Sequence, residues 1–125
     1  MSALSAAHAH LAKAREFLEA AELEHRQDLY NAATSNAVLS GINAKDAICL
    51  KLAGRTNRPD DHAAAIRELA ATGSQGRDLA QTLKRLLSKK TKSQYQTTVV
   101  PASEARRAIE HATRLYDAAQ RIVTS

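Results

Sequence analysis

The sequence predicts an all-α protein, an up-and-down bundle of four long helices and one short helix. Apolar residues recur at helical spacing along most of the chain, and no segment keeps the alternation that is typical of a strand. Residues 29–44 form an uncharged run of 16 residues in a chain that is 25% charged. Such a run has to be enclosed by other segments, so it predicts a buried central helix.

The composition indicates one cytoplasmic domain over residues 1–125. A chain of 125 residues can close a single core without a metal ion or a disulfide bond. The only cysteine, Cys49, lies in an apolar segment, which is typical of a buried thiol in a reducing compartment. Residues 1–14 contain two histidines and a lysine, so we expect neither a signal peptide nor a membrane span.

The first predicted helix begins after Ser2, which can cap it, and carries a narrow apolar seam. The seam residues repeat every three or four positions and are Leu4, Ala7, Leu11, Ala14, Leu18 and Ala21. Charged residues cover the other faces. The run EHRQD at residues 24–28 ends this helix or bends it into the next one.

The central helix is predicted over about residues 28–53, with a stop at Gly54. Asn36, Ser40 and Asn43 are spaced to lie on one of its faces, where a buried polar group needs a hydrogen-bond partner. These residues either bond other helices or a second copy of the chain, or they form a polar site for a ligand. Both interpretations are open at this point.

A short third helix and a long fourth helix follow a polar loop. Pro59, Asp60 and Asp61 predict the start of the short helix, which ends near residue 72. Ser74 then opens the fourth helix. Its apolar face consists of Leu79, Leu83, Leu86 and Leu87.

The far end of the fourth helix is strongly basic. Five cations fall within nine residues that contain no acid, and they are Lys84, Arg85, Lys89, Lys90 and Lys92. Their number equals the net charge of the whole chain, +5, which favours acidic partners. With Tyr95 nearby, this cluster is the best electrostatic candidate for contact with phosphates. A solvated basic helix face is the alternative.

Residues 92–102 predict an extended connection, because Thr, Val and Pro replace helix-forming residues there. Ser103 and Glu104 begin the last helix, whose amphipathic pattern is the cleanest in the chain. Its apolar residues are Ala105, Ala108, Ile109, Ala112, Leu115, Tyr116, Ala119, Ile122 and Val123.

Two arginine–histidine pairs are candidates for catalysis. Arg55 and His62 flank six residues before the third helix. Arg106 and His111 flank four residues in the last helix, where Arg107 is the closer helical neighbour of His111. A histidine can act on an RNA 2′-hydroxyl while a guanidinium holds the phosphate, so no metal is needed. A solvated helix face is the alternative for the second pair.

No metal or cofactor is expected. His8 and His10 are two residues apart, so they point to different faces of a helix, and no cysteine or acid joins them at ligand spacing. The sequence also contains no phosphate-binding loop, dinucleotide fingerprint or nucleophile elbow.

Taken in order, these features resemble the HEPN domain family of prokaryotic helical proteins. The matching segments are AKAREFLEAAELE, YNAATSNAVLSGINAKDAICLKLAG, DDHAAAIRELA, LLSKKTKSQY and SEARRAIEHATRLYDAAQRIV. They cover almost the whole chain. The resemblance implies a bundle of four or five helices, usually a homodimer, often encoded beside a minimal nucleotidyltransferase or in a toxin–antitoxin or defence module.

The resemblance also implies two kinds of function. Some family members are metal-independent endoribonucleases that use an Arg and a His, with four to six residues between them, at the dimer cleft. Others look like nucleotide- or substrate-binding partners. His62 matches the histidine that opens the third helix, and Gln94 with Tyr95 stands where family members carry an Arg-Tyr pair.

We therefore predict a HEPN-type protein of a two-component module that binds RNA or a nucleotide at a basic, dimer-associated site. The alternatives are a metal-independent endoribonuclease toxin and a non-catalytic docking subunit for a partner enzyme. Expected partners are a second copy of the chain and a nucleotidyltransferase or antitoxin protein. The candidate binding residues are Asn36, Asn43, Lys89, Lys90, Lys92 and Tyr95, and the candidate catalytic residues are Arg55, His62, Arg106 and His111.

Overall fold

A computed structural model describes residues 2–57, 61–95 and 99–125, with the backbone alone over residues 90–95. The helices are α1 (Ala3–Arg26), α2 (Tyr30–Ala53), α3 (His62–Ala70), α4 (Ser74–Tyr95) and α5 (Ala102–Thr124). The predicted all-α bundle of four long helices and one short helix is confirmed, and the described residues contain no strand. None of the described helices is long and apolar enough to cross a membrane.

Helix α2 is the centre of the bundle. It packs against α1, α5, α4 and α3, and its buried residues extend from Ala33 to Leu50. At Gly41 the absence of a side chain permits close approach, because a Cβ atom there would collide with the side chain of Leu86 and crowd that of Leu115. The uncharged run is therefore buried on the face that neighbouring helices approach closely, but Leu29, Asn31 and Leu39 are exposed, so the prediction that other segments enclose the whole run is only partly met.

The polar face of α2 is bonded to α1. Ser40 donates from Oγ to the backbone oxygen of Ala14 over 2.7 Å. Asn36 donates from Nδ2 to Glu24 Oε1, also over 2.7 Å. The third residue of this face, Asn43, contacts α1 as well. Each of the three residues therefore has a hydrogen-bond partner on α1 of the same chain, and Asn43 also lines a cavity.

One predicted helix end differs by two residues, and another is wrong. The central helix begins at Tyr30 rather than near residue 28, because Asp28 has a φ of 63°, which a right-handed helix does not contain. Asp28 lies in a tight reversal between α1 and α2, and aspartate is one of the residues that accept this conformation. The fourth helix continues to Tyr95, through the first residues of the predicted extended connection. Lys92 and Gln94 are good helix formers, which explains the longer helix.

The short helix begins and ends close to its predicted limits. Asp61 is its N-cap, and the Asp61 carboxylate accepts a bond from the backbone N–H of Ala64. Pro59 and Asp60 lie outside the described residues. The helix ends at Ala70, two residues before the predicted end, and Gly73 then supports a turn with a φ of 131°.

Candidate functional sites

The packed helices α4 and α5 carry a group of cations around one histidine, which we call the basic face: Arg85, Lys89, Arg107 and His111. Arg85 and Lys89 are one helical turn apart on α4, and Arg107 and His111 are one turn apart on α5. The positive charges of Lys89, Arg85 and Arg107 all act on the His111 ring. The negative charge of Glu110 acts on the same ring in the opposite sense. Cations from two helices thus outnumber the single acid around His111.

His111 is partly buried, and its pKa is below the ordinary histidine value. Burial is the largest cause, followed by the charges of Lys89 and Arg85, since both effects disfavour the imidazolium form. The environment of His111 therefore favours the neutral ring, in which one nitrogen can accept a proton.

Arg106 belongs to a different contact. Its two terminal nitrogens donate to the two carboxylate oxygens of Glu22 on α1, each over 3.1 Å. This bidentate pair lowers the pKa of Glu22 and raises that of Arg106. Arg106 is thus held toward α1, and Arg107 is the arginine that acts on His111.

The structure does not join Arg55 and His62 in one site. Arg55 is exposed in the loop after α2 and lines a cavity of 420 Å³ together with Arg67. His62 is the first residue of α3 and lines a second cavity, on the other side of Asn57.

Three of the predicted binding residues have side chains outside the described part. Lys90, Lys92 and Tyr95 continue the backbone of α4, and nothing further is described of them. Lys89 is the member of the predicted cluster whose side chain is placed, next to His111.

A charged cluster lies at the core side of α2. Lys45 is only 2% exposed, and its ammonium group bonds four oxygens. The acceptors are Glu68 Oε1 at 2.7 Å, Asp46 Oδ1 at 3.0 Å, and Thr56 Oγ1 and the Asn57 backbone oxygen at 3.1 Å each. Burial lowers the pKa of Lys45, but the bonds to Glu68 and Asp46 outweigh burial, so its pKa is raised overall.

Glu68 connects this cluster to α3. Burial alone would raise its pKa, but its carboxylate accepts bonds from Lys45, the backbone N–H of Asn57 and the Thr56 hydroxyl. Together they lower the pKa of Glu68 to about 2. The cluster therefore contains one ammonium group and two carboxylates, counting Asp46, and has a net negative charge.

A cavity of 450 Å³, which we call the inner cavity, opens beside this cluster between α1, α2, α3 and α4. One wall is apolar and includes Phe17, Leu39, Ile42, Leu83 and Leu87. The polar lining includes His10, Asn43, Asp46 and His62. The remaining polar residues of the lining are Lys13, Glu16, Lys45, Asn57 and Asp61. A cavity of this size that combines an apolar wall with convergent polar groups can hold a small molecule.

The polar lining of the inner cavity leaves one carboxylate oxygen open. Asp46 Oδ1 accepts from Lys45 and lies 2.7 Å from the Thr56 hydroxyl, whose single proton Asp46 shares with Glu68, whereas Oδ2 lies 3.9 Å from His10 Nδ1. His10 Nδ1 is 2.9 Å from Asn43 Oδ1, and the Asn43 amide nitrogen donates to a backbone oxygen of its own helix. In the described part of the chain, Asp46 Oδ2 has no closer polar partner.

The described residues contain no group of three or more His, Cys, Asp or Glu side chains arranged to hold a metal ion. Cys49 is buried, and burial raises the pKa of its thiol to about 12. A thiol with so high a pKa carries almost no thiolate at pH 7, so Cys49 has no nucleophilic role.

None of the residues of the charged cluster is a candidate site residue on sequence alone. One feature of the sequence indicates this cluster, the adjacent pair Lys45 and Asp46 in an otherwise apolar helix. Buried charges need partners, and these have to come from other segments. The partner Glu68 is 23 residues away from Lys45 and carries no signal of its own.

The fold and these sites define a small all-α bundle with a basic face on its last two helices and a charged cluster beside its central helix. Residues 7–122 match the model of the HEPN domain, and the chain belongs to the HEPN family. The resemblance noted in the sequence is thereby confirmed. No curated protein matches the chain in sequence.

Proposed function

We propose that the protein binds RNA through the basic face. The observation that carries this proposal is the convergence of Arg85, Lys89 and Arg107 on the half-buried ring of His111. Within the described residues, none of these three cations forms an ion pair with an acid. Glu110 is the one acid whose charge acts on the same ring, against three cations. The excess of like charge is repulsive, and a phosphate backbone relieves that repulsion while it releases counterions.

The proposal extends to the setting of the protein. We propose a homodimer in a two-component module, with a nucleotidyltransferase or an antitoxin as the partner protein. Membership of the HEPN family supports this setting. The bonds of Asn36 and Ser40 do not, because α1 of the same chain already satisfies the polar face of α2.

The test of RNA binding replaces one cation at a time with uncharged glutamine, either inside or outside the basic face. Lys89→Gln and Arg107→Gln should each weaken binding of a labelled single-stranded RNA about three- to tenfold at low salt, because each loses a phosphate contact. Lys84→Gln is the matched control, since Lys84 is exposed and lies about 100° around the helix from Arg85. We expect less than about a twofold change in the control.

Fluorescence anisotropy measures these affinities, and circular dichroism checks that each variant is folded. Equal losses in Lys84→Gln and Lys89→Gln would show that net charge alone drives binding, against a site at the basic face. Absence of binding by the wild-type protein would contradict the proposal outright.

A second candidate function is metal-independent cleavage of the bound RNA. It is favoured by the neutral ring of His111 beside the Arg107 guanidinium. The imidazole would accept the proton of a 2′-hydroxyl, whose oxygen attacks the adjacent phosphorus and displaces the 5′-oxygen. Water would protonate the departing 5′-oxygen, and the imidazolium would return its proton to solvent, leaving a 2′,3′-cyclic phosphate and a 5′-hydroxyl. The arginine would neutralise charge that develops on the phosphate oxygens.

The same RNA incubated in EDTA tests this chemistry. Cleavage should disappear in His111→Asn and persist in His62→Asn, because His62 lines a different cavity. Undiminished cleavage in His111→Asn would remove the proposed base, while binding without cleavage would leave the protein an RNA-binding module.

A further inference from the structure

We propose that the inner cavity binds a small organic amine, a protonated primary ammonium group on a compact apolar body. This site is separate from the basic face, and the inference does not rest on RNA binding. It rests on the charge balance, the open acceptors and the walls of the inner cavity.

The charge balance favours a cation. Asp46 is 5% exposed, and together with Glu68 it places two carboxylates beside one ammonium group, that of Lys45. Lys45 has three N–H donors and already serves four acceptors, so it has nothing further to donate. The charged residues that line the inner cavity are the acids Glu16, Asp46 and Asp61 and the bases Lys13 and Lys45. One unit of negative charge is thus left for a further cation.

The open acceptors favour an ammonium group over a guanidinium group. Asp46 Oδ2 and Asn43 Oδ1 lie 3.9 Å and 2.9 Å from the same atom, His10 Nδ1, and all three residues line the inner cavity. An amide oxygen has two lone pairs, and only one is used by His10. A flat guanidinium group needs both oxygens of a carboxylate for its paired bonds, but Oδ1 of Asp46 is already occupied. An ammonium group can use one oxygen from each side chain.

The walls favour an apolar body behind the ammonium group. Phe17 offers an aromatic ring, and Leu39, Ile42 and Leu87 offer aliphatic surface. Aromatic faces attract cations, and an apolar body gains from leaving water. The exposed charged residues of the inner cavity are two acids, Glu16 and Asp61, and one base, Lys13, so their net negative charge also favours the entry of a cation.

Benzylamine and its neutral isostere, benzyl alcohol, are the probes that test the proposal. They share shape and apolar area, and only benzylamine carries the ammonium group. We expect isothermal titration calorimetry at pH 7 to show benzylamine binding at least about tenfold more tightly, a difference of about 1.4 kcal/mol. Equal affinity of the two probes would overturn the proposal. Absence of benzylamine binding at about 10 mM would do so too, because a site with a millimolar Kd is mostly occupied at that concentration.

Two variants locate the binding. Leu39 lines the inner cavity and is 38% exposed, so Leu39→Lys places a positive charge at the opening and should reduce benzylamine affinity at least about tenfold. Leu52→Lys is the matched control, because Leu52 is on the same helix and 43% exposed but does not line the inner cavity. Its affinity should stay within about twofold of wild type. Unchanged binding in Leu39→Lys would overturn the assignment of the site, and RNA affinity should not decrease in either variant.

A third variant tests the carboxylate itself. Asp46→Asn keeps the shape of the side chain and removes its charge, so a folded variant should bind the two probes with similar affinity. A retained preference for benzylamine would overturn the role of Asp46. If the variant does not fold, as circular dichroism would show, Leu39→Lys and Leu52→Lys still decide the outcome.

Discussion

The buried ammonium group of Lys45 connects several segments of this protein. Its ammonium group joins α2 to Thr56 and Asn57 in the following loop and to Glu68 on α3. A buried ion pair contributes little net stability compared with an apolar core, but loss of one partner leaves an uncompensated buried charge. The cluster therefore specifies where α3 lies on α2 more than it adds to the free energy of unfolding.

Glu68 should make the stability of the protein depend on pH in the acid range. Its pKa is about 2 in the folded protein, against an ordinary value of 4.5, so between these values the unfolded chain binds more protons than the folded one. Stability contributed by Glu68 is therefore complete above about pH 4.5 and is lost as the pH falls toward 2, with an upper limit of about 3 kcal/mol.

Urea unfolding at several pH values between 2 and 6 measures this dependence. Glu68→Gln should be less stable than wild type at pH 6, and the difference should shrink toward pH 2. A constant difference across that range would mean that Glu68 stabilises the protein by shape or packing and not through its charge.

At the scale of helices, the corner between α3 and α4 depends on the lack of a side chain at Gly76. A Cβ atom there would collide with the backbone oxygen of Leu69 and the hydroxyl of Thr72, while that hydroxyl donates to the same Leu69 oxygen over 2.8 Å. The Leu69 oxygen is a backbone atom, so it can move away only if α3 moves with it. The close approach of α4 to the end of α3 therefore requires glycine.

Gly76→Ala should lower the free energy of unfolding by about 2–3 kcal/mol, because the steric cost exceeds the gain of about 1 kcal/mol in helix propensity. Gly41→Ala is the control, since its Cβ would meet only side-chain atoms of Leu86 and Leu115, which can shift. We expect a smaller loss there. Chemical denaturation measures both, and a Gly76→Ala protein as stable as wild type would contradict the proposed tight corner.

At the scale of the whole molecule, the positive charge is unevenly distributed. The chain has a net charge of +5, and the basic face accounts for three of the cations without acidic partners. The inner cavity, on the other side of α4, has a net negative lining. One small bundle thus presents surfaces of opposite charge, suited to different ligands.

Salt dependence should report the number of phosphates that the basic face contacts. With three or four contacts to single-stranded RNA, the plot of log affinity against log salt should have a slope of about −2 to −3, at about −0.7 per contact. Arg107→Gln should reduce the steepness by about 0.7, and Lys84→Gln should leave it unchanged. A slope near zero in the wild-type protein would exclude binding by phosphate contacts.

The sequence alone determined the fold of this protein. The helical period of apolar residues, the uncharged run at residues 29–44 and the turn residues Gly54 and Gly73 predict the number, order and approximate limits of the helices. These signals are local, because they depend on neighbours within one or two helical turns. The sequence predicts a helix end less accurately where a single backbone angle sets it, as at Asp28.

The tertiary structure decided which side chains meet. Periodicity shows which face of a helix is buried, but it leaves open how far that helix slides along its neighbours and which residue it meets. That relative position directs Arg106 to Glu22, Arg107 toward His111, and Lys45 to Glu68. It also creates the inner cavity, because a cavity between four helices exists only once their packing has been set.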